Sequence, residues 1–325
     1  MPASLVPGWL ACQLPLTVEA YVAACLYDAT HGYYTRGLNF TSPEHPKGLD
    51  FTTAPLLTPL FGATLGNWVV RQWQQAGQPD VLRLIETGPG NGALMHSLLS
   101  HLHTAHPACY AVCQPWLVET SPTLTALQQQ TLQPFPQCHW STDIRTSNIE
   151  PSNIPTCVIA NELLDAFPIR QFCGEEERGV LLREGRLAFS HPEDSVTAED
   201  SPAQTAWLQG LRALPGLQAA LLVDYGAAQA AGGSTLQAVH RHTQVSPLHL
   251  PGETDLTAHV NFDHVAAMLG TNHCSLTDLT PFLMQHGLLN LAEASITSAE
   301  TQGSLHRLLH PNEMGSLFKV LEYLP

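Results

Sequence analysis

Hydrophobic and polar positions along this chain alternate between a strand rhythm and a helix rhythm. Val81, Leu82, Leu84 and Ile85 form a short apolar run, interrupted but not cancelled by Arg83, that predicts a buried strand ending in Glu86. Met95, Leu98, Leu99 and Leu102 then recur at i, i+3, i+4 and i+7, one face of a helix. The alternation repeats downstream. Residues 114–119 predict a second strand, with Thr120 or Ser121 capping the next helix and Pro122 at its start. Residues 138–144 predict a short third strand and its loop, residues 156–160 a fourth strand and residues 221–226 a fifth. Residues 275–279 and 316–324 are candidate edge strands. Together these elements predict an α/β fold built on a seven-stranded, mostly parallel sheet.

Three other regions break that rhythm. Near the N-terminus, Val18, Tyr21, Val22, Cys25 and Leu26 make a helical stripe, followed by the aromatic corner His31-Gly32-Tyr33-Tyr34. Residues 50–55 read as a cap and entry loop to a helix carrying Leu57, Leu60, Phe61, Leu65, Trp68 and Val69; their place just before the central unit suits a lid over a ligand. Between the fourth and fifth strands, residues 170–172, 180–182 and 186–189 predict short antiparallel strands with turns at Gly174 and Gly185. Residues 191–203 are polar and read as loose, 205–214 as a helix and 235–251 as irregular. The expected organisation is an N-terminal helical region and cofactor lid at 1–75, a Rossmann-like domain at 76–168 and 218–325, and an inserted substrate-side subdomain at 169–217.

The junction between the first strand and its helix carries the most chemistry. Glu86-Thr87-Gly88-Pro89-Gly90-Asn91-Gly92 places three glycines in five residues, where backbone N–H groups and a helix N-terminus face a ligand. A dinucleotide fingerprint would need its third glycine one residue later. The acid before the turn would repel a pyrophosphate but suits a cationic ligand. This spacing is the motif of class I methyltransferases that bind S-adenosylmethionine, whose sulfonium and amine are positive. A tight turn without a ligand is the plain alternative. Glu119, at the tip of the second strand, suits the two ribose hydroxyls. Asp143 and Ile144, with Thr142 as an alternative, lie on the loop expected to approach the adenine. Asn161, Glu162 and Asp165 follow the fourth strand, where open α/β sheets keep their chemistry; simple helix capping is the alternative there.

Composition narrows the ligand class. A net charge of −15 with 13 Lys plus Arg disfavours nucleic acid and fits a cationic substrate or basic partner. Mean hydropathy is near zero and no apolar run reaches transmembrane length. The first cation is Arg36, so neither a signal peptide nor a transit peptide is evident and the expected compartment is the cytoplasm. The eight cysteines contain no C-x-x-C pair and read as reduced, mostly buried thiols. The histidines of the first helix, His96, His101 and His103, with His106 beyond them, read as a solvated face, so no metal site is assigned.

Several stretches resemble the MidA-type proteins, the group that includes the mitochondrial complex I assembly arginine methyltransferase. They are residues 27–34, 50–55 with Phe61-Gly62, 86–92, 117–122, 161–168, 224–226, 251–262 and 314–321, in the family's order. The resemblance implies a class I methyltransferase fold with an N-terminal helical part and an inserted small subdomain. It implies S-adenosyl-L-methionine as donor and an arginine of a partner protein as acceptor. The cofactor would be held by Thr53, Pro55, Glu86, Gly88, Pro89, Gly90, Gly92, Glu119, Thr120, Asp143, Ile144 and Asn161. Glu162, helped by Asn161 and Asp165, is expected to hold the guanidinium, with Asp255 and His259 on the other wall. The chain departs from the family's pattern at Leu49, Leu56, Asn261 and Ala29, where Gly, Glu, Asp and Pro are usual. The missing carboxylates at 56 and 261 leave open a second reading, a cofactor-binding assembly or scaffolding protein with little turnover. A homodimeric arrangement also stays open.

Overall fold

The computed structural model describes residues 6–36, 53–144, 153–229, 232–295 and 299–325. Its central sheet contains β1 (Leu82–Thr87), β2 (Cys113–Val118), β3 (His139–Ser141), β4 (Thr156–Asn161), β5 (Leu217–Ala227), β6 (Cys274–Asp278) and β7 (Phe318–Tyr323). The spatial order is β3-β2-β1-β4-β5-β7-β6, with the two-residue strand Val260–Asn261 added beside β5. Neighbours from β3 to β5 are parallel; β7 is antiparallel to both β5 and β6. The segment that ends in β7 is therefore not an edge strand, as its sequence suggested. It inserts between β5 and β6, and within this order β6 forms the edge. Its apolar pattern, Phe318, Val320, Leu321 and Tyr323 all buried, fits a strand covered on both faces.

Burial on both faces explains why β1 and β4 read as continuous apolar runs. Cys157 and Ile159 face one layer with Leu84 and Leu221; Val158 and Ala160 face the other with Ile85 and Leu222. The first layer is made largely by the helices Pro59–Gln75 and Ala93–Ala105, the second by Pro202–Arg212 and Phe262–Leu269. Thus Pro59–Gln75 packs with the sheet rather than with the N-terminal helices, and Pro202–Arg212 packs with the sheet rather than with the insertion.

A third core lies apart from the sheet. It joins Leu10, Val18, Tyr21 and Leu26 to Ile169 and Val180 of the inserted segment and to Leu236, Ala238 and Leu256. Residues 235–251, expected to be irregular, contribute Gln237–His240, which pairs antiparallel with Thr243–Gln244 and with Asp255–Thr257. Gly179–Arg183 pairs with both Arg186–Phe189 and the N-terminal Leu16–Thr17. This layer is thus assembled from three chain segments, which divides the molecule differently from the boundaries 1–75 and 169–217. Hydrogen bonding across long sequence separation unites them, and no local pattern carries that information.

Candidate active site

The strand order reverses between β1 and β4, the place where open α/β sheets form a crevice at their carboxyl ends. A cavity of ≈ 390 Å³ occupies that place. Thr53, Pro55, Glu86, Gly88, Pro89, Gly90, Glu119, Thr120, Asp143, Ile144, Asn161 and Glu162 all line it, as does Thr142, the alternative to Asp143. Asp50 to Thr52 of the expected lid lie outside the described residues. Gly92 is not in the wall. It is the N-cap of Ala93–Ala105 at φ 83°, a left-handed backbone that favours glycine. Gly88, at φ 67°, does line the cavity; a Cβ there would stand 2.8 Å from Leu163 Cδ1. Asp165, Asp255 and His259 do not line it either.

Glu86 is buried at the end of β1, with Oε2 lacking a hydrogen-bond partner. Burial pushes its carboxyl up to about 8, and the Met95 backbone amide offsets only part of that. Asn161 Oδ1 is likewise buried without a partner. Two orphaned acceptors in one cavity wall suit a ligand that brings positive charge and N–H donors, which is what the methionine end of S-adenosylmethionine carries.

On the other side of the glycine turn, Glu119 accepts from the Ser121 amide at 2.7 Å and from Gln128 Nε2 at 3.1 Å. Burial raises its pKa, with those donors opposing. Ile144 lies near an aromatic wall in which Phe167 and Trp207 stand 6.2 Å apart; Trp207 comes from the helix Pro202–Arg212, within the 169–217 segment expected on the substrate side.

The acids beyond β4 form a second feature. Glu162 has φ 52°, a left-handed conformation that costs a non-glycine residue about 1–2 kcal/mol. Its carboxylate accepts from the Ala54 amide and from Asn161 Nδ2, each at 3.2 Å. Burial and the neighbouring Asp165 push Glu162 up to about 7. Asp165, held by the Tyr225 hydroxyl, is pushed up to about 6, mainly by burial. Asp224, fully buried within β5, is raised by burial and by Asp165 and Glu162. Asp255 accepts from Tyr34 Oη at 3.0 Å. Tyr27 and Tyr34 line the cavity, and no Lys or Arg does among the described residues. The site is therefore an acidic well rimmed by aromatic side chains.

His259 is exposed, bonded to Gln237 and edge-on to Tyr225. Asn261 is a helix cap whose Oδ1 accepts from the His264 amide at 3.2 Å. An Asp at 261 would cap the same helix, so its absence removes no carboxylate from the cavity wall. Leu56 does line the cavity. Asp224 was legible as an acid within the apolar fifth strand; Gln128 carried no such signal.

A family model for S-adenosyl-L-methionine-dependent methyltransferases matches residues 64–280, more than half of the chain. The mitochondrial protein arginine methyltransferase NDUFAF7 of Xenopus tropicalis is 28% identical, over 96% of this chain and 83% of that relative. Its human counterpart is 26% identical over 96% and 80%. A protein from Burkholderia thailandensis, solved with bound S-adenosyl-homocysteine, superimposes with a TM-score of 0.79 at 25% identity, over 98% of this chain and 91% of that one. These relatives correct the expected cytoplasmic compartment: the curated proteins are named as mitochondrial, so the late first cation does not assign a location. Among the described residues no helix is long and apolar enough to cross a membrane. The seven-strand order, the cavity at its reversal point and these matches agree: the chain belongs to the S-adenosyl-L-methionine-dependent methyltransferase family, and S-adenosyl-L-methionine is its methyl donor.

Proposed function

We propose that the chain methylates an arginine side chain of a partner protein. The observation that supports this reading is the acidic well: Glu162 in the cavity wall, with Asp165, Asp224 and Asp255 buried close behind it and no Lys or Arg lining the cavity among the described residues. Carboxyls gathered this closely are unfavourable unless protonated or met by positive charge. A guanidinium meets that need, and a carboxylate can hold two of its N–H groups at once. The arginine methyltransferase relatives point to the same acceptor.

Thr53, Pro55, the 86–90 turn, Glu119, Thr120, Asp143, Ile144 and Asn161 would hold the cofactor, which supplies a methyl group on a sulfonium. In the proposed reaction Glu162 holds the guanidinium, fixes which nitrogen faces the donor, and takes the proton that this nitrogen gives up. Its elevated pKa suits a proton acceptor working near neutral pH. Asp165 and Asp255 keep the well negative from behind. Glu162→Gln should bind S-adenosyl-homocysteine as the wild type does and lose about 100-fold or more in methyl transfer to arginine peptides. Normal turnover by that variant would refute the role assigned to Glu162.

Leu56 in the cavity wall, where the resembled family usually carries Glu, favours a second reading, a cofactor-binding assembly protein with little turnover. Calorimetry with S-adenosylmethionine followed by labelled-methyl transfer in cell extract separates the two, since binding without transfer is expected only of the second.

A further inference from the structure

We infer that Asp224 is the residue that sets Glu162 into the cavity. It lies on a different strand from Glu162 and does not line the cavity itself. In the parallel register of β4 and β5, Asn161 stands opposite Val223, so Asp224 comes level with Glu162, one residue past the end of β4. The ladder continues one residue further: the Glu162 amide donates to the Val223 carbonyl at 2.8 Å. Beyond it the chain turns sharply, and the next three amides converge on one atom. Leu163, Leu164 and Asp165 donate to Asp224 Oδ2 at 3.1, 2.8 and 3.3 Å. Asp224 Oδ1 accepts from the Tyr225 amide at 2.9 Å, which fixes the carboxylate plane.

The consequence for Glu162 is conformational. Its φ of 52° is sustained only if the residues on both sides are held. The Val223 carbonyl holds the near side and Asp224 the far side. With the backbone so fixed, the Glu162 carboxylate meets the Ala54 amide and Asn161 rather than solvent. Asp224 therefore acts through Glu162, as a positioning residue. It also faces Asp165 and Glu162 as a third buried acid, with the Tyr225 hydroxyl near the same cluster and Asp255 beyond it.

This role rests on the arginine reading only for its kinetic arm. The test compares Asp224→Ala with Asp224→Asn in the full-length protein, with three readouts: crystal structures, S-adenosyl-homocysteine affinity, and kcat and KM for transfer to an arginine peptide. Asn keeps one oxygen to accept the three amides. It should retain the turn, with Glu162 still at positive φ, and transfer activity within about tenfold. Ala removes the acceptor. It should keep S-adenosyl-homocysteine affinity within about threefold, lose about 100-fold in kcat with little change in KM, and show Glu162 out of the left-handed region. A merely structural aspartate would not give a loss confined to kcat with cofactor affinity kept, nor its rescue by Asn. If Asp224→Ala folds with Glu162 still at positive φ, the inference is wrong, and so it is if the Asn variant loses as much kcat as the Ala variant. Should the wild type transfer nothing to arginine while the turn still reorganises in the Ala crystal, the positioning role stands and the arginine reading falls.

Discussion

Gln128 donates from Nε2 to the Gly90 carbonyl at 2.8 Å and to Glu119 at 3.1 Å, so one buried amide ties the glycine turn to the acid of the neighbouring strand. Its Oε1 accepts from Trp140 Nε1 at 3.1 Å, which brings β3 into the same network. The turn and the expected ribose contact are therefore not independent.

Gln128→Ala should strand the Trp140 N–H and leave Glu119 and the Gly90 carbonyl short of a donor in a buried setting. Each such loss costs about 1–3 kcal/mol. We expect a lower urea midpoint and about tenfold weaker S-adenosyl-homocysteine binding. Unchanged affinity would mean that Glu119 is positioned without Gln128.

Gly88→Ala introduces a Cβ 2.8 Å from Leu163 Cδ1 at a position with φ 67°. The left-handed backbone alone costs about 1–2 kcal/mol. Leu163 adjoins Glu162, so the displacement should reach Glu162, the proposed guanidinium holder. Thermal melts should show the loss of stability, and turnover should fall more than cofactor affinity does.

Acidic pH should stabilise the ligand-free protein. Glu86 is held near 8 in the fold against 4.5 unfolded, and Glu162 near 7. Between those values the folded state binds more protons than the unfolded one, so stability falls as pH rises from about 4.5 to about 8. Above pH 8 both states are ionised and the loss is complete. Urea midpoints measured from pH 5 to 8 should trace this slope, and Glu86→Gln should flatten it. A flat wild-type profile would contradict the burial of Glu86.

The same carboxyl predicts proton release on cofactor binding. At pH 7 the free site holds Glu86 largely protonated, and a cationic ligand draws it into the ionised form. Calorimetric titration of S-adenosylmethionine in buffers of different ionisation enthalpy should report protons leaving, fewer for Glu86→Gln. No buffer dependence would exclude the coupling.

Trp207→Ala should weaken S-adenosyl-homocysteine binding by about tenfold, because Trp207 and Phe167 offer an aromatic wall beside Ile144. Trp207→Phe should keep most of the affinity. Quenching of tryptophan fluorescence by the ligand should be smaller in both variants.

The sequence by itself determined the strand–turn–helix at Glu86 to Gly92 and the order of strands that carry Glu119 and Asn161. These are local features: apolar runs mark strands buried on both faces, and glycines mark the turn between them. Glu86 was legible because an acid ending an apolar strand stands out. Only the tertiary structure decided what lies behind that first surface. Strand pairing placed Asp224 level with Glu162, and helix packing brought Trp207 of Pro202–Arg212 to the Ile144 side of the cavity. It also turned Asp255 toward Tyr34 and left His259 exposed. The reason is the strand period of two: an acid's type and position say that it stands at a strand end, but pairing register and bends set its direction. The same holds for β7, whose apolar pattern cannot say whether it pairs on one side or two.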